Sequence, residues 1–195
     1  LLAADAGGNK SKVFAGWVYL NSDPSTNNDG YPLIRSGQGE GYAIYIDSEK
    51  RLCVRMQQNP IGNPVVSSEI RTANLRPGVP GKWFHFVVCL DKGSTNGVTF
   101  TTRTRIFIDG KKAVTQAGNT RGTLNQRTNL AGGVSVMTSA IIGRGQAEDE
   151  DGLIFLDGQL AELAIINPSD DITDAQANAI YVASLDGSYN LSSGF

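Results

Sequence analysis

The chain has 195 residues, of which 17 are basic and 19 acidic, and its pI is near 5.4. That balance excludes the clustered basic face expected of a nucleic-acid binder, and no apolar run approaches the roughly eighteen residues of a membrane-spanning helix. The 23 glycines and many Asn, Thr and Ser residues suit short strands joined by tight turns, a composition common among secreted and virion proteins.

The chain starts at Leu1 with no charged-then-apolar leader, which reads as a processed chain or a piece of a longer one. From there, runs of β-branched and aromatic residues alternate with turn-forming clusters. They predict strands at 13–20, 31–37, 42–47, 51–57, 66–72, 83–91, 102–108, 112–116, 140–143 and 160–166. Tyr42, Ile44 and Ile46 share one parity, as do Leu52, Val54 and Met56, so each of these strands carries one apolar face. Ser48-Glu49-Lys50 forms the turn between them. The run from Trp83 to Leu90 is apolar on both parities, as expected of a central strand covered on both sides. Asp109-Gly110 is a two-residue hairpin signal. The segment 115–138, rich in Gly, Asn, Thr and Gln, reads as a long loop or a pair of extra edge strands. One helix stands out near the C-terminus. Thr173-Asp174-Ala175-Gln176 fits a capping box, and Ala177, Ile180, Tyr181 and Leu185 follow at helical spacing. With no linker or repeat, the whole of 1–195 reads as one domain.

These blocks carry a resemblance. Trp83-Phe84-His85-Phe86-Val87-Val88-Cys89-Leu90-Asp91 resembles the Trp-x-His-h-x-h-x-h-Asp strand (h apolar) of laminin-G-like jelly rolls in the concanavalin A-like lectin/glucanase superfamily. Arg105 to Lys111 is similar to that family's next strand and its Asp-Gly turn, and Ile141-Ile142-Gly143 to its h-x-Ile-Gly strand. Leu156 to Ile165 is similar to the Phe-x-Gly-x-Ile-Asp-Glu strand, with Ala161 where the family has Asp and Ile166 where it has Trp. Phe14-Ala15-Gly16-Trp17-Val18 resembles the opening strand, and the helix from Thr173 to Leu185 the closing one. The resemblance implies an all-β fold: a two-sheet antiparallel jelly-roll sandwich with one short C-terminal helix. It does not select a function, because this fold hosts lectins, adhesive modules, enzymes and scaffolds.

Catalytic chemistry finds little support. His85 is the only histidine, and between Phe84 and Phe86 it reads as a core imidazole. No nucleophile elbow occurs, and Cys53 and Cys89 with His85 fall short of a four-ligand zinc site. The two cysteines either pair as a disulfide or sit as separate buried hydrophobes. The paired carboxylates of a retaining glycosidase have no match, since the acidic run Glu148-Asp149-Glu150-Asp151 lacks the apolar alternation of a strand. Gly37-Gln38-Gly39-Glu40-Gly41 lacks the lysine and helix of a phosphate loop.

Binding is better supported. Calcium takes six to eight oxygen ligands, and Asp149 and Asp151, with Asp157 or Asp29, are the candidate donors. A sugar site needs an exposed aromatic ring beside planar polar groups. Tyr31, Tyr45, Arg35, Arg55 and Arg144 are the candidates, with Tyr45 and Arg55 opposite in parity to the core set on their strands. Trp17 and Trp83 fall at core-like positions, which sets them aside as platform residues. The sequence therefore predicts a non-catalytic extracellular recognition module, at a cell or virion surface, whose partner is a glycan or a surface protein. A structural or decoration subunit of a virion or filament, self-assembling through broad surfaces and terminal arms, is the second reading. A polysaccharide-degrading enzyme is the third.

Overall fold

The computed structural model describes residues 11–24, 30–36, 41–58, 66–91, 97–118, 140–146 and 153–185. In chain order the elements are β1 (Lys12–Leu20), β2 (Tyr31–Ser36), β3 (Gly41–Ile46), β4 (Leu52–Gln58), β5 (Val66–Thr72), β6 (Trp83–Leu90) and α1 (Gly97–Arg103). Then follow β7 (Thr104–Ile108), β8 (Lys111–Lys112), β9 (Thr115–Ala117), β10 (Ala140–Ile142), β11 (Arg144–Gln146), β12 (Leu153–Phe155), β13 (Gly158–Ile166) and α2 (Asp174–Leu185). They form a five-stranded sheet, β13-β1-β6-β7-β8, a six-stranded sheet, β10-β2-β3-β4-β5-β9, and a β11-β12 hairpin. All pairings are antiparallel.

Strand alternation decides where the core sits. Phe14, Val18, Phe84, Phe86, Val88 and Ile106 of the five-stranded sheet meet Ile34, Ile44, Ile46, Leu52, Val54 and Ile70 of the six-stranded sheet in one buried cluster. Each such aliphatic or aromatic side chain contributes about 1.5–3 kcal/mol on leaving water. Residues of the other parity on β1 and β6 point outward, where α2 lies over them. Val13, Ala15, Val87, Cys89 and Phe107 pack with Ile172, Ala177 and Ile180 in a second buried cluster. A central strand apolar on both parities is thus explained: β6 faces the sandwich core on one side and a helix on the other.

Turn chemistry sets the registers. Asp109 (φ 49°) and Gly110 (φ 74°) are both left-handed, as a type I′ turn requires. Asp109 Oδ1 accepts the His85 backbone N–H at 2.8 Å, and Asp109 N–H donates to His85 O at 2.9 Å, extending the β6–β7 ladder into the turn. In the β3–β4 turn Lys50 takes φ 66° and its N–H bonds Asp47 O at 2.8 Å. Asp47 also accepts from the Arg51 N–H at 2.9 Å and from Arg51 Nε at 2.7 Å. A bulge in β13, with Glu162 at φ 50°, shifts the β1 register between Ala15 and Trp17. The α2 capping box forms as predicted: Gln176 N–H donates to Thr173 Oγ1 at 3.2 Å and Thr173 N–H to Gln176 Oε1 at 2.8 Å.

Three expectations change. The predicted strand 102–108 begins only at Thr104, because Gly97–Arg103 is helical. Phe100, fully buried, anchors that turn in the core, and Thr104 Oγ1 bonds its carbonyl at 2.6 Å. Tertiary packing overrides the β preference of Val98, Thr99, Thr101 and Thr102. The predicted strand 112–116 divides between β8 in one sheet and β9 in the other. Cys53 and Cys89 are both free and buried. Cys53 sits on β4 in the six-stranded sheet and Cys89 on β6 under α2, so the disulfide alternative falls.

Candidate functional site

The outer face of the six-stranded sheet gathers three of the predicted ligand residues. The register aligns Arg35, Ala43, Arg55 and Glu69 in one cross-strand row and Pro32, Tyr45, Cys53 and Arg71 in the next. Tyr45, Arg55 and Glu69 are nonetheless only 4%, 4% and 1% exposed. Glu69 Oε2 accepts from Arg55 Nε at 3.0 Å, from Arg55 Nη2 at 2.9 Å and from the Tyr45 hydroxyl. Arg55 Nη2 also donates to the Tyr45 oxygen at 2.8 Å, and the guanidinium lies 5.0 Å from the Tyr45 ring centroid. Burial, then electrostatic repulsion from Cys53, raise the Tyr45 hydroxyl well above its ordinary pKa. These groups satisfy one another, and Tyr45 offers no exposed ring. Arg35 is half-buried on the same face, and Arg144 is exposed on β11, which packs beside β2, and stands opposite Phe155.

Two aromatic rings are exposed among the described residues: Phe155, opposite Arg144 on the β11–β12 hairpin, and Trp83 on the five-stranded sheet. Trp83 opens β6 and is 43% exposed. The β1 register places Tyr19 directly opposite it, and the two rings sit 5.5 Å apart at 46°, within the range of favourable aromatic pairs. On the far side of Tyr19 the β13 register places exposed Gln159. Behind this row, Trp17 packs edge-on to His85 at 5.2 Å, and Tyr181 of α2 lies 5.4 Å from His85 and 5.9 Å from Trp17. Burial pushes His85 down to about 4, so its imidazole is neutral at pH 7.

One step beyond Tyr19 the same two strands end in a polar cluster. Asn21 N–H bonds Asp157 O at 3.0 Å, continuing the ladder. Asn21 Nδ2 donates to Asp157 Oδ1 at 2.9 Å, and Ser22 Oγ to Asp157 Oδ2 at 2.5 Å. Ser22 has one hydroxyl proton and gives it to the carboxylate, so the Tyr31 hydroxyl at 2.5 Å donates to Ser22. The Ser22 and Asn21 bonds hold the Asp157 carboxyl below its ordinary range. Tyr31 and Asp157, assigned separately from sequence to sugar and to calcium, therefore meet through Ser22. Asp149 and Asp151 lie outside the described residues, as does Asp29. Among the described residues no three His, Cys, Asp or Glu side chains gather as a metal site, and both Asp157 oxygens already accept side-chain hydrogen bonds.

Sequence reasoning set Trp83 aside because its strand is apolar on both parities. α2 packs on Val87 and Cys89 and reaches His85 through Tyr181, while Trp83 stays 43% exposed; nothing in the strand's own residues marks that difference.

Solved structures show the same fold. The botulinum neurotoxin serotype D/C binding domain superposes with a TM-score of 0.58 at 17% identity, over 90% of this chain and 37% of that one. Botulinum neurotoxin type C, which depends on interaction with two ganglioside molecules to enter cells, gives 0.57 at 19% identity, over 89% and 36%. The neurotoxin DC binding domain, in complex with SialylT, gives 0.54 at 17% identity, over 92% and 36%. The chain thus spans little more than a third of these neighbours, and the likeness is one of fold. Among curated proteins, none matches the chain in sequence. The model of the concanavalin A-like lectin/glucanases superfamily matches residues 13–176, and the chain belongs to that family.

Proposed function

We propose that this protein is a non-catalytic carbohydrate-recognition module whose sugar lies on the Trp83–Tyr19 face. One observation carries the reading: an exposed indole on β6 and a half-buried phenol ring on β1, flanked by Gln159 on the neighbouring β13 and by Asn21 and Asp157 where β1 ends and β13 begins. Ring faces attract the C–H face of a pyranose, while amides and a carboxylate bond its hydroxyls. A few fixed polar groups beside an apolar surface are the usual makeup of a small-ligand site. The family membership and the fold shared with receptor-binding domains support the reading. A binding role also suits His85, which is fully buried and neutral and so meets no substrate.

The test is a glycan array with the wild-type chain and W83A, each run with calcium and with EDTA. Wild type gives saturable binding and W83A loses about tenfold or more, equivalent to about 1.4 kcal/mol. W83A lowers the melting temperature somewhat, since more than half of the indole is buried and it pairs with Tyr19, so binding is compared at a temperature where both proteins are folded. Chelator sensitivity would bring the acidic run at 148–151 into the site. A blank array, or binding that W83A leaves intact, refutes the assignment.

A further inference from the structure

The polar end of the face carries one oriented carboxylate, Asp157. Asp157 is exposed, and its two oxygens are oriented by Asn21 Nδ2 at 2.9 Å and Ser22 Oγ at 2.5 Å. Ser22 is in turn fixed by Tyr31, which is anchored in the core. A carboxylate accepts hydrogen bonds and donates none, and each oxygen has a second lone pair directed to solvent. Two neighbouring hydroxyls of a sugar meet that requirement; a second anion does not. Other charges lie nearby. Asp23, next to Ser22, is paired with Lys50 at 2.8 Å, and the exposed cation Lys82 directly precedes Trp83, so K82A joins the test and should leave the preference for neutral sugars in place. Asn21 and Gln159 are neutral amides that suit hydroxyls equally as donors and acceptors.

Resting on the glycan-binding reading, we infer that the Trp83–Tyr19–Asp157 face selects uncharged sugars and rejects sialylated, uronate-bearing or sulfated ones. Asp157 is the discriminating residue. It accepts hydroxyl protons of a neutral pyranose seated on Trp83 and repels a carboxylate or sulfate brought to the same place. The repulsion acts between exposed charges, so salt screens it, with a Debye length of about 8 Å at physiological ionic strength.

The experiment uses an array of matched oligosaccharides, each in neutral, sialylated and sulfated form, with wild type, D157N, K82A and W83A at low and high salt. Wild type is expected to bind the neutral member at least about tenfold more tightly than its anionic counterparts, with the gap narrowing in high salt. In D157N the neutral affinity falls several-fold and the gap closes, since an amide donates to an anion as readily as it accepts from a hydroxyl. D157N should fold normally because Asp157 is exposed; thermal unfolding checks this. Wild type binding anionic members as tightly as neutral ones, with both lost in W83A, overturns the selectivity and leaves the platform standing. A gap that D157N leaves unchanged also overturns the role of Asp157. Absence of binding, or binding indifferent to W83A, removes the glycan reading and this inference with it.

Discussion

Replacing Glu69 with Gln tests whether the charged row on the six-stranded sheet is scaffold or site. Glu69 and Arg55 side chains are 1% and 5% exposed, and one carboxylate oxygen takes two Arg55 donors and the Tyr45 hydroxyl. The amide removes the negative charge and can turn an NH₂ toward donors that need an acceptor. The guanidinium is then left buried with its main counter-charge gone. Breaking a buried pair from one side costs about 3–5 kcal/mol. For a chain of this size that is a fall in Tm of roughly 6–20 °C, at about 2–4 °C per kcal/mol. Urea unfolding and a thermal melt read it directly. The triple variant Y45F/R55M/E69L removes all three polar groups together and should recover at least half of the loss, because an apolar replacement of a whole buried pair is close to neutral. It should also retain wild-type glycan binding, since the Trp83 face lies on the other sheet. The reasoning fails if E69Q costs less than about 1 kcal/mol, or if the triple variant is no more stable than E69Q. Loss of sugar binding in a well-folded triple variant would return the site to Tyr45 and Arg55.

The remaining predictions concern packing and protonation. His85 titrates near 4 when folded and near 6.5 when unfolded, so between those values the unfolded chain holds more protons. Stability is therefore complete above pH 6.5 and falls by up to about 3 kcal/mol as pH drops toward 4; urea midpoints at pH 7.5 and 4.5 should show this loss, and H85F should reduce it. An unchanged or rising midpoint in acid refutes the assignment. Thiol titration without reductant should find two reactive cysteines in guanidinium and none in the folded protein, where burial pushes Cys89 up to about 12 and Cys53 upward as well. Finding no thiols after unfolding would mean a disulfide. Gly110→Ala places a Cβ 2.5 Å from both Asn178 Oδ1 and Tyr181 Cδ1 at φ +74°, so backbone strain and clash together should cost about 2–5 kcal/mol. Gly81→Ala, at φ +78° with nothing within 4 Å, carries only the backbone strain of about 1–2 kcal/mol. Equal costs for the two would refute a role for the helix contact.

Local signals made most of the fold legible in the sequence, and their limits explain what was not. Alternation placed Tyr42, Ile44 and Ile46 in the core because period 2 follows from strand geometry itself. Asp109-Gly110 and the Thr173–Gln176 box were readable because few residue types satisfy those backbone conformations. The helix at Gly97–Arg103 was not, since its stability comes from burying Phe100 rather than from its own propensities. Tyr45 and Arg55 were correctly assigned to the face opposite the core, but parity says only which face a residue occupies. Their burial depends on the Glu69 partnership across β4 and β5, a contact 14 residues away along the chain from Arg55.

Trp83 shows the same limit from the opposite side. Apolar residues on both parities of β6 do mean cover on both faces, and this holds at Val87 and Cys89, where α2 packs. It fails at the first residue of the strand, because cover is a property of helix length and placement rather than of the strand's own sequence. Tyr181 closes over Trp17 and His85, and in the next row toward the strand start Tyr19 and Trp83 pair ring to ring with Trp83 43% exposed. An indole left half exposed two residues from a fully buried histidine marks where that cover ends. That exposure, beside an oriented carboxylate, favours a ligand on this face over the satisfied Tyr45–Arg55–Glu69 row.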